Sequence, residues 1–395
     1  MRQKNGRLIA IVAAVAVAAI AIGGALAYRQ GPRDNTQADA APLSGTPFLT
    51  SSATPSTPAT TPTPAPPSTP PKTLSTKPSP TSTPSGPLKT KVELAKLTQG
   101  RAPQIAYVSG RTVRGGAGPD VKIPGTGDII DVARLNQSVL AVVTKGTDTE
   151  MLTIDNSGKV LRHTPDVTKI VTTEDGLAAA YVALRRSPES DSTPGAVIYA
   201  EQESVKKLTM PDIWDPLLFG YSNGKVYFRA ESSEGALTWT LYEWVPGASK
   251  ATAIKTVPKA TGVSGDGKVA ASLTTQTDYN NCSTVVEVAT GSRLWRTCDY
   301  QIHGFTLDGA TAIGGPFYED GYGNGIASAL NAKTGVLLHE WSGTFRQTVP
   351  EDDQHLLLLA DDGEETPASI IRCTTTTGAC ELATPLAKGT LLIGS

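Results

Sequence analysis

Beyond residue 92 the chain is a succession of short apolar runs, β-branched and alternating, as in TVVEV, TLYEW and KVYFR, separated by tight polar turns. The runs recur at a fixed spacing. Aligning the Gly-Lys-Val triplets of FGYSNGKVYFRA (219–230) and TGVSGDGKVAAS (261–272) gives an offset of 43, and the same unit returns around Gly176, Gly309 and Asp353 at steps of 42 to 48. A second turn series at Gly158, Gly247, Gly291, Gly335 and Gly378 interleaves with the first at 43 or 44. One double step of 89 leaves a missing member near residue 203, in EQES. Each period therefore holds two tight turns and four strands with no helical segment between them, the pattern of a β-propeller blade. Residues 92–395 number 304, close to seven periods of 44. The first period has only three strands (QIAYVSG, TVRGG, VKIPG), whereas TLLIGS at 390–395 is spare. The expectation is an all-β, seven-bladed β-propeller of four-stranded antiparallel blades, its ring closed by the C-terminal strand as the innermost strand of the first blade.

This periodicity disposes of one catalytic motif. GYSNG at 220–224 fits the G-x-S-x-G pattern of a nucleophile elbow, which needs a helix after the serine, but KVYFRA comes next and reads as a strand. Ser222 is thus expected in a hairpin turn, where Asn-Gly meets the demand for positive φ. An Asp-box would need an aromatic after Ser264 and Asp266, and none is there. His163, His303, His339 and His355 fall in different periods with no H-E-x-x-H, and no D-x-D-x-D-G calcium loop is present. No catalytic residue, metal or cofactor is expected.

Two of the turn units resemble known propeller repeats. ALNAKTGVLLHEW (329–341) and VVEVATGSRLW (285–295) resemble the A-x-D-x-x-T-G-x-x-x-W repeat of quinoprotein-like (PQQ-like) propellers, with Asn331 in place of Asp and His339 in place of Trp. SGDGKVAAS resembles the S-P-D-G-K turn of TolB-like and YVTN-like propellers of the bacterial cell envelope. The resemblance implies blades over 92–395. The vicinal cysteines of quinoprotein dehydrogenases are absent, so it does not imply the quinone.

The first ninety residues differ in kind. Residues 8–28, LIAIVAAVAVAAIAIGGALAY, carry no charge and come after Arg2, Lys4 and Arg7. As a helix they would span about 31 Å, enough for a bilayer core with the N-terminus inside. Cleavage of a signal peptide near Ala27 is the alternative. From Pro42 to Pro87, 14 of the chain's 29 prolines lie among Ser, Thr and Ala, a composition that buries too little apolar surface to fold. The organisation expected is a cytoplasmic tip and transmembrane anchor (or signal peptide) at 1–28, a disordered linker at 29–91 and the propeller at 92–395. The propeller then lies outside the cytoplasm, single-pass at the cell membrane or secreted. Four cysteines in such a domain favour disulfides, and Cys282 with Cys298 and Cys373 with Cys380 each flank one outer hairpin turn.

Charge changes the picture last. Lys+Arg 35 against Asp+Glu 37 gives no basic excess, so no nucleic acid is expected. The connections between second and third strands (145–150, 185–194, 231–237, 275–281, 315–325 and 361–367) hold thirteen acids against three basic residues. They are expected on one face. A binding surface of Asp278, Tyr279, Tyr318, Glu319, Asp320, Tyr322, Asp361 and Asp362 would attract a basic partner. The function expected is a monomeric, non-enzymatic binding or scaffold module for a protein or cell-envelope component. A hydrolase or lyase with its site at the central channel is the alternative.

Overall fold

A computed structural model describes residues 88–184, 193–275, 281–317, 323–363 and 366–394. Contacts divide the chain into Met1–Lys77 and Pro78–Ser395, and every described residue belongs to the second unit. The expected membrane segment 8–28 and the linker up to residue 87 lie outside the described residues, among which no helix is long and apolar enough to cross a membrane.

The described chain is all β apart from one 3-10 turn, Leu94–Lys96. Strands pair antiparallel in four-stranded groups, numbered here along the chain. Group 2 comprises Ile129–Leu135, Ser138–Lys145, Asp148–Asp155 and Val160–Pro165, and group 3 comprises Val167–Thr172, Ala179–Leu184, Ala196–Glu201 and Val205–Met210. Group 4 is Trp214–Ser222, Lys225–Glu231, Trp239–Trp244 and Thr252–Pro258, and group 5 is Ala260–Val263, Val269–Thr275, Cys282–Glu287 and Arg293–Thr297. Groups 6 (Gln301–Phe305, Thr311–Gly315, Asn324–Asn331) and 7 (His355–Asp361, Ser369–Thr374, Cys380–Leu382) form one sheet, because Leu337–Pro350 ends the first and begins the second. Group 1 takes Tyr107–Ser109, Thr112–Arg114 and Val121–Lys122, and its first strand is Leu391–Ile393, which pairs with Tyr107–Ser109.

The groups are held face to face by apolar side chains, and each core cluster lies between two successive groups. Val182, Ile198, Phe228 and Trp244 join groups 3 and 4, and Trp341, Phe345, Leu358 and Ile371 join groups 6 and 7. Tyr107, Leu357, Leu359, Ile370 and Ile393 join group 7 back to group 1. From group 7 through group 1 and on to group 6, first strands pack side by side, giving a propeller-like arrangement.

The turn chemistry repeats with the strands. In Thr173–Gly176, Ser264–Gly267 and Thr306–Gly309 the hydroxyl donates to the Asp two residues on (2.6, 2.8 and 2.7 Å). The same hydroxyl accepts the backbone N–H of Ala178, Val269 and Thr311. At the second turns Gly291, Gly335 and Gly378 sit at φ near +70°. Trp295 packs on Gly335 and His339 on Gly378, where a Cβ would stand 2.7 and 1.9 Å from the ring. His339 thus fills in space the place that Trp295 holds in the repeat. Both expected disulfides, Cys282 with Cys298 and Cys373 with Cys380, are formed, and the described residues contain no free cysteine.

The sequence pattern did not reveal a strap. Lys89–Lys91 adds as a parallel strand to Glu340–Ser342 at the outer edge of group 6, and the chain then crosses to bridge Gln99 with Leu382 in group 7. Leu94 is buried beneath it. Arg372 clamps the end of the strap, donating to the carbonyls of Arg101 and Ala102 (both 2.9 Å) while pairing with Glu381 (2.7 Å) and the buried Glu351.

Candidate functional site

Antiparallel pairing puts both tight turns of a group at one end and the second-to-third connection at the other, here called the loop end. Neighbouring groups point the same way. The first turns touch one another, through the Asn136 N–H on the Gly176 carbonyl (2.9 Å) and the Asp308 N–H on Asp353 (2.8 Å). Polar groups at the turn end are thus spent on local structure.

At the loop end, on the first strands or, for Lys259, immediately before one, stand ionisable residues at near-periodic positions: Asp131, Lys169, Asp215, Lys259, His303 and Arg346. Several of the strands are bulged there. One extra residue interrupts the register at Thr261, at His303 between Ile302 and Gly304, and at Arg346 between Phe345 and Gln347. A bulge turns the extra side chain out of the alternation that would bury it between sheets. Asp215 and Lys259 also sit at positive φ (41° and 50°), as does Asp166 (59°). Side chains seldom adopt that conformation, and non-glycine residues held there collect at functional segments.

The pairing at this end is close. Asp131, buried, accepts the N–H groups of Val132 (2.9 Å) and Ile170 (3.0 Å) and meets Lys169 Nζ at 3.0 Å. Asp215 stands 3.9 Å from Arg229, whose guanidinium lies 4.2 Å over the ring of Trp239. Arg346 Nε contacts Asp361 Oδ2 at 2.6 Å, with 45 % of the arginine side chain exposed and none of the aspartate's. Further out in group 2, Glu150 receives Lys145 and His163, both at 3.1 Å. Burial alone would raise the Glu150 pKa, but the hydrogen bonds from His163 and Lys145 outweigh it and hold the carboxyl below the ordinary range.

Of the surface named from the sequence, Asp278, Tyr279, Tyr318, Glu319, Asp320 and Tyr322 lie outside the described residues. Asp362 is exposed. Asp361 is not a surface charge: it is 3 % exposed, accepts the Gly363 N–H and holds Arg346. Its place at the end of an apolar strand, HLLLLAD, is what buries it. His303 and Arg346 were each missed as loop-end residues. The available signal was the return of an ionisable residue at the loop end of each first strand.

Fold and site together define an all-β chain of four-stranded antiparallel sheets in a propeller-like arrangement, with mixed charge at one end of its first strands. No protein-family model matches the chain, and no curated protein matches it. Among solved structures it is similar to an uncharacterised protein from Listeria monocytogenes EGD-e, at 11 % identity and TM-score 0.46 over 69 % of this chain and 91 % of that one. It is also similar to the β-propeller domain of the Trilobed protease from Pyrococcus furiosus (13 %, TM-score 0.47, covering 67 % and 86 %). TolB from Acinetobacter baumannii is a third (14 %, TM-score 0.40, 67 % and 66 %).

Proposed function

We propose that the chain is a membrane-tethered, extracytoplasmic, seven-bladed propeller that acts as a binding or scaffold module and seats its partner, a protein or cell-envelope component, on the loop end. The observation that carries this is the contrast between the two ends. At the turn end Asp and Ser/Thr side chains are tied into their own turns. At the loop end the ionisable residues Lys169, Asp215 and Arg346 are each more than a third exposed and stand on first strands that converge. The ring reading rests on the pairing of Leu391–Ile393 with Tyr107–Ser109 and on the core cluster between groups 7 and 1. The T-G-x-x-x-W copies have a structural role in this reading, since Trp295 and His339 are occupied by neighbouring turns.

The test is capture from envelope extract by the full chain, comparing Lys169→Glu and Asp215→Lys at the loop end with Asp175→Asn and Lys268→Gln at the turn end. Loss of capture with the first pair alone supports the proposal, and loss with the second pair overturns it. The enzymatic alternative is favoured by His303, which stands at the same end as the buried Asp361 and Arg346. Turnover of ester or glycan substrates that disappears in His303→Gln would replace the scaffold reading with that one.

A further inference from the structure

The first three strands of group 4 gather aromatic and charged side chains at one corner of the loop end. Trp214, Glu231 and Trp239 are directly paired across these strands, and in the next row Leu217, Arg229 and Leu241 are paired likewise. Directly paired residues put their side chains on the same face of a sheet. That face looks toward group 5, because Leu241 packs with Ala260, Ala270 and Val286, and the Trp239 indole donates to the Ala260 carbonyl (2.6 Å). The Arg229 guanidinium lies 4.2 Å over the Trp239 ring and 3.9 Å from Asp215, whose side chain is 71 % exposed. Neither contact is a hydrogen bond. Among the described residues Arg229 makes no hydrogen bond, and neither does the Trp214 indole N–H or the Glu231 carboxylate. Trp214, Arg229, Glu231 and Trp239 are all half-buried, and Leu237, in the loop leading into Trp239, is 74 % exposed.

We propose that this corner between groups 4 and 5 binds a neutral glycan, with sugar hydroxyls set between Arg229 and the carboxylates of Asp215 and Glu231 and a sugar ring against Trp214. The inference rests on the reading that the loop end is the binding end. One cation against two carboxylates disfavours an anionic ligand, and a basic peptide would meet Arg229 as a like charge. A hydroxyl suits both kinds of group, because one oxygen accepts a guanidinium N–H while giving its own proton to a carboxylate. The gap of 3.9 Å between Arg229 and Asp215 is too long for a direct hydrogen bond and leaves such a bridge to be made. Two adjacent hydroxyls of a sugar match two adjacent donors of the planar guanidinium fork. Stacking on Trp239 holds that fork in place, so little side-chain freedom is lost when the sugar arrives. Trp214 supplies an apolar ring face together with a free N–H, the combination by which an aromatic side chain grips a surface that is part apolar and part polar.

The chain has five tryptophans, of which Trp244, Trp295 and Trp341 are buried, so a ligand at this corner is read through Trp214 and Trp239. The full-length protein is screened on an array of neutral oligosaccharides, and the tightest binder is titrated in solution with tryptophan emission as the readout. The expected result is a saturable blue shift that neither inorganic phosphate nor oligolysine reproduces. Glu231→Gln should weaken binding about tenfold or more, the scale of one charged hydrogen bond. Its melting temperature should not change, because the carboxylate has no hydrogen bond in the protein to lose. Trp214→Ala should weaken binding as much, and Trp214→Phe should recover part of the loss by restoring an aromatic face without the N–H. An array with no binder, an affinity indifferent to both Glu231→Gln and Trp214→Ala, or a saturable shift given by oligolysine in place of the sugar would overturn the glycan site. An empty array together with envelope capture that still depends on Lys169 sinks the glycan site alone and leaves the binding-module reading standing.

Discussion

His339 shows how one side chain can take over a repeat position and bring a pH dependence with it. Its ring is buried between Trp341, centroids 5.0 Å apart, and the Gly378 turn, and a ring nitrogen meets the Thr90 hydroxyl of the strap at 2.9 Å. Burial lowers its pKa, with Glu340 opposing. A folded pKa below the unfolded one means that the unfolded chain binds the proton more readily, so stability fully present above about pH 6.5 is lost as pH falls from there towards the lower folded value. Urea midpoints should therefore drop between pH 7.5 and 5.5, and His339→Gln should remove part of the drop. An unchanged slope in that variant would show that the ring does not report folding. Lys259 is a second residue-scale case: at φ +50° it holds a conformation costing about 1–2 kcal/mol for an L-residue. Lys259→Gly should therefore raise the midpoint modestly, whereas Gly224→Ala, at φ +70° with open space around it, should lower it by about 1 kcal/mol. Ser222→Ala, in the same turn, should be nearly silent.

At the scale of elements, the legible features were those in which backbone geometry dictates residue type. Gly158, Gly247, Gly291, Gly335 and Gly378 mark turns because each sits at positive φ. The alternating strands and both cysteine pairs belong to the same frame. The strap was illegible because KTK pairs through its backbone to an edge, and three polar residues at one edge carry no periodicity. The Arg346 and Asp361 pair was hidden for a related reason: bulges shift the register, so two charges on neighbouring strands leave no fixed spacing. The clamp on the strap carries a measurable consequence. Arg372 is 3 % exposed and the Glu351 side chain is fully buried, so Arg372→Met leaves a buried carboxylate with only the Gln104 N–H and the more distant Arg101, and should cost about 3 kcal/mol. Adding Glu351→Gln should recover part of that loss. Hydrogen exchange at residues 89–92 should accelerate in the single variant before the rest of the propeller does, and uniform acceleration would mean that strap and sheets unfold as one.

For the whole molecule the decisive contacts are those of the last strand. Leu391–Ile393 completes group 1, and Gln347 on the first strand of group 7 takes both backbone groups of Ile393, its oxygen accepting the N–H (2.8 Å) and its nitrogen donating to the carbonyl (3.1 Å). On the other side Gly394 abuts group 2, where a Cβ would lie 2.4 Å from the Val132 carbonyl. One short strand thus touches groups 7, 1 and 2 at once. Removing residues 391–395 would unpair the inner edge of Tyr107–Ser109, leave the Gln347 carboxamide without its partners and open the apolar cluster around Leu357 and Leu359. Neighbouring groups stabilise one another only through such interfaces, so the loss should spread beyond group 1. The truncated chain should melt well below the intact one and with a broader transition, and adding the TLLIGS peptide in excess should restore part of the difference by mass action. If truncation leaves both midpoint and cooperativity unchanged, the ring is open at group 1 and the C-terminal strand is an appendage to it.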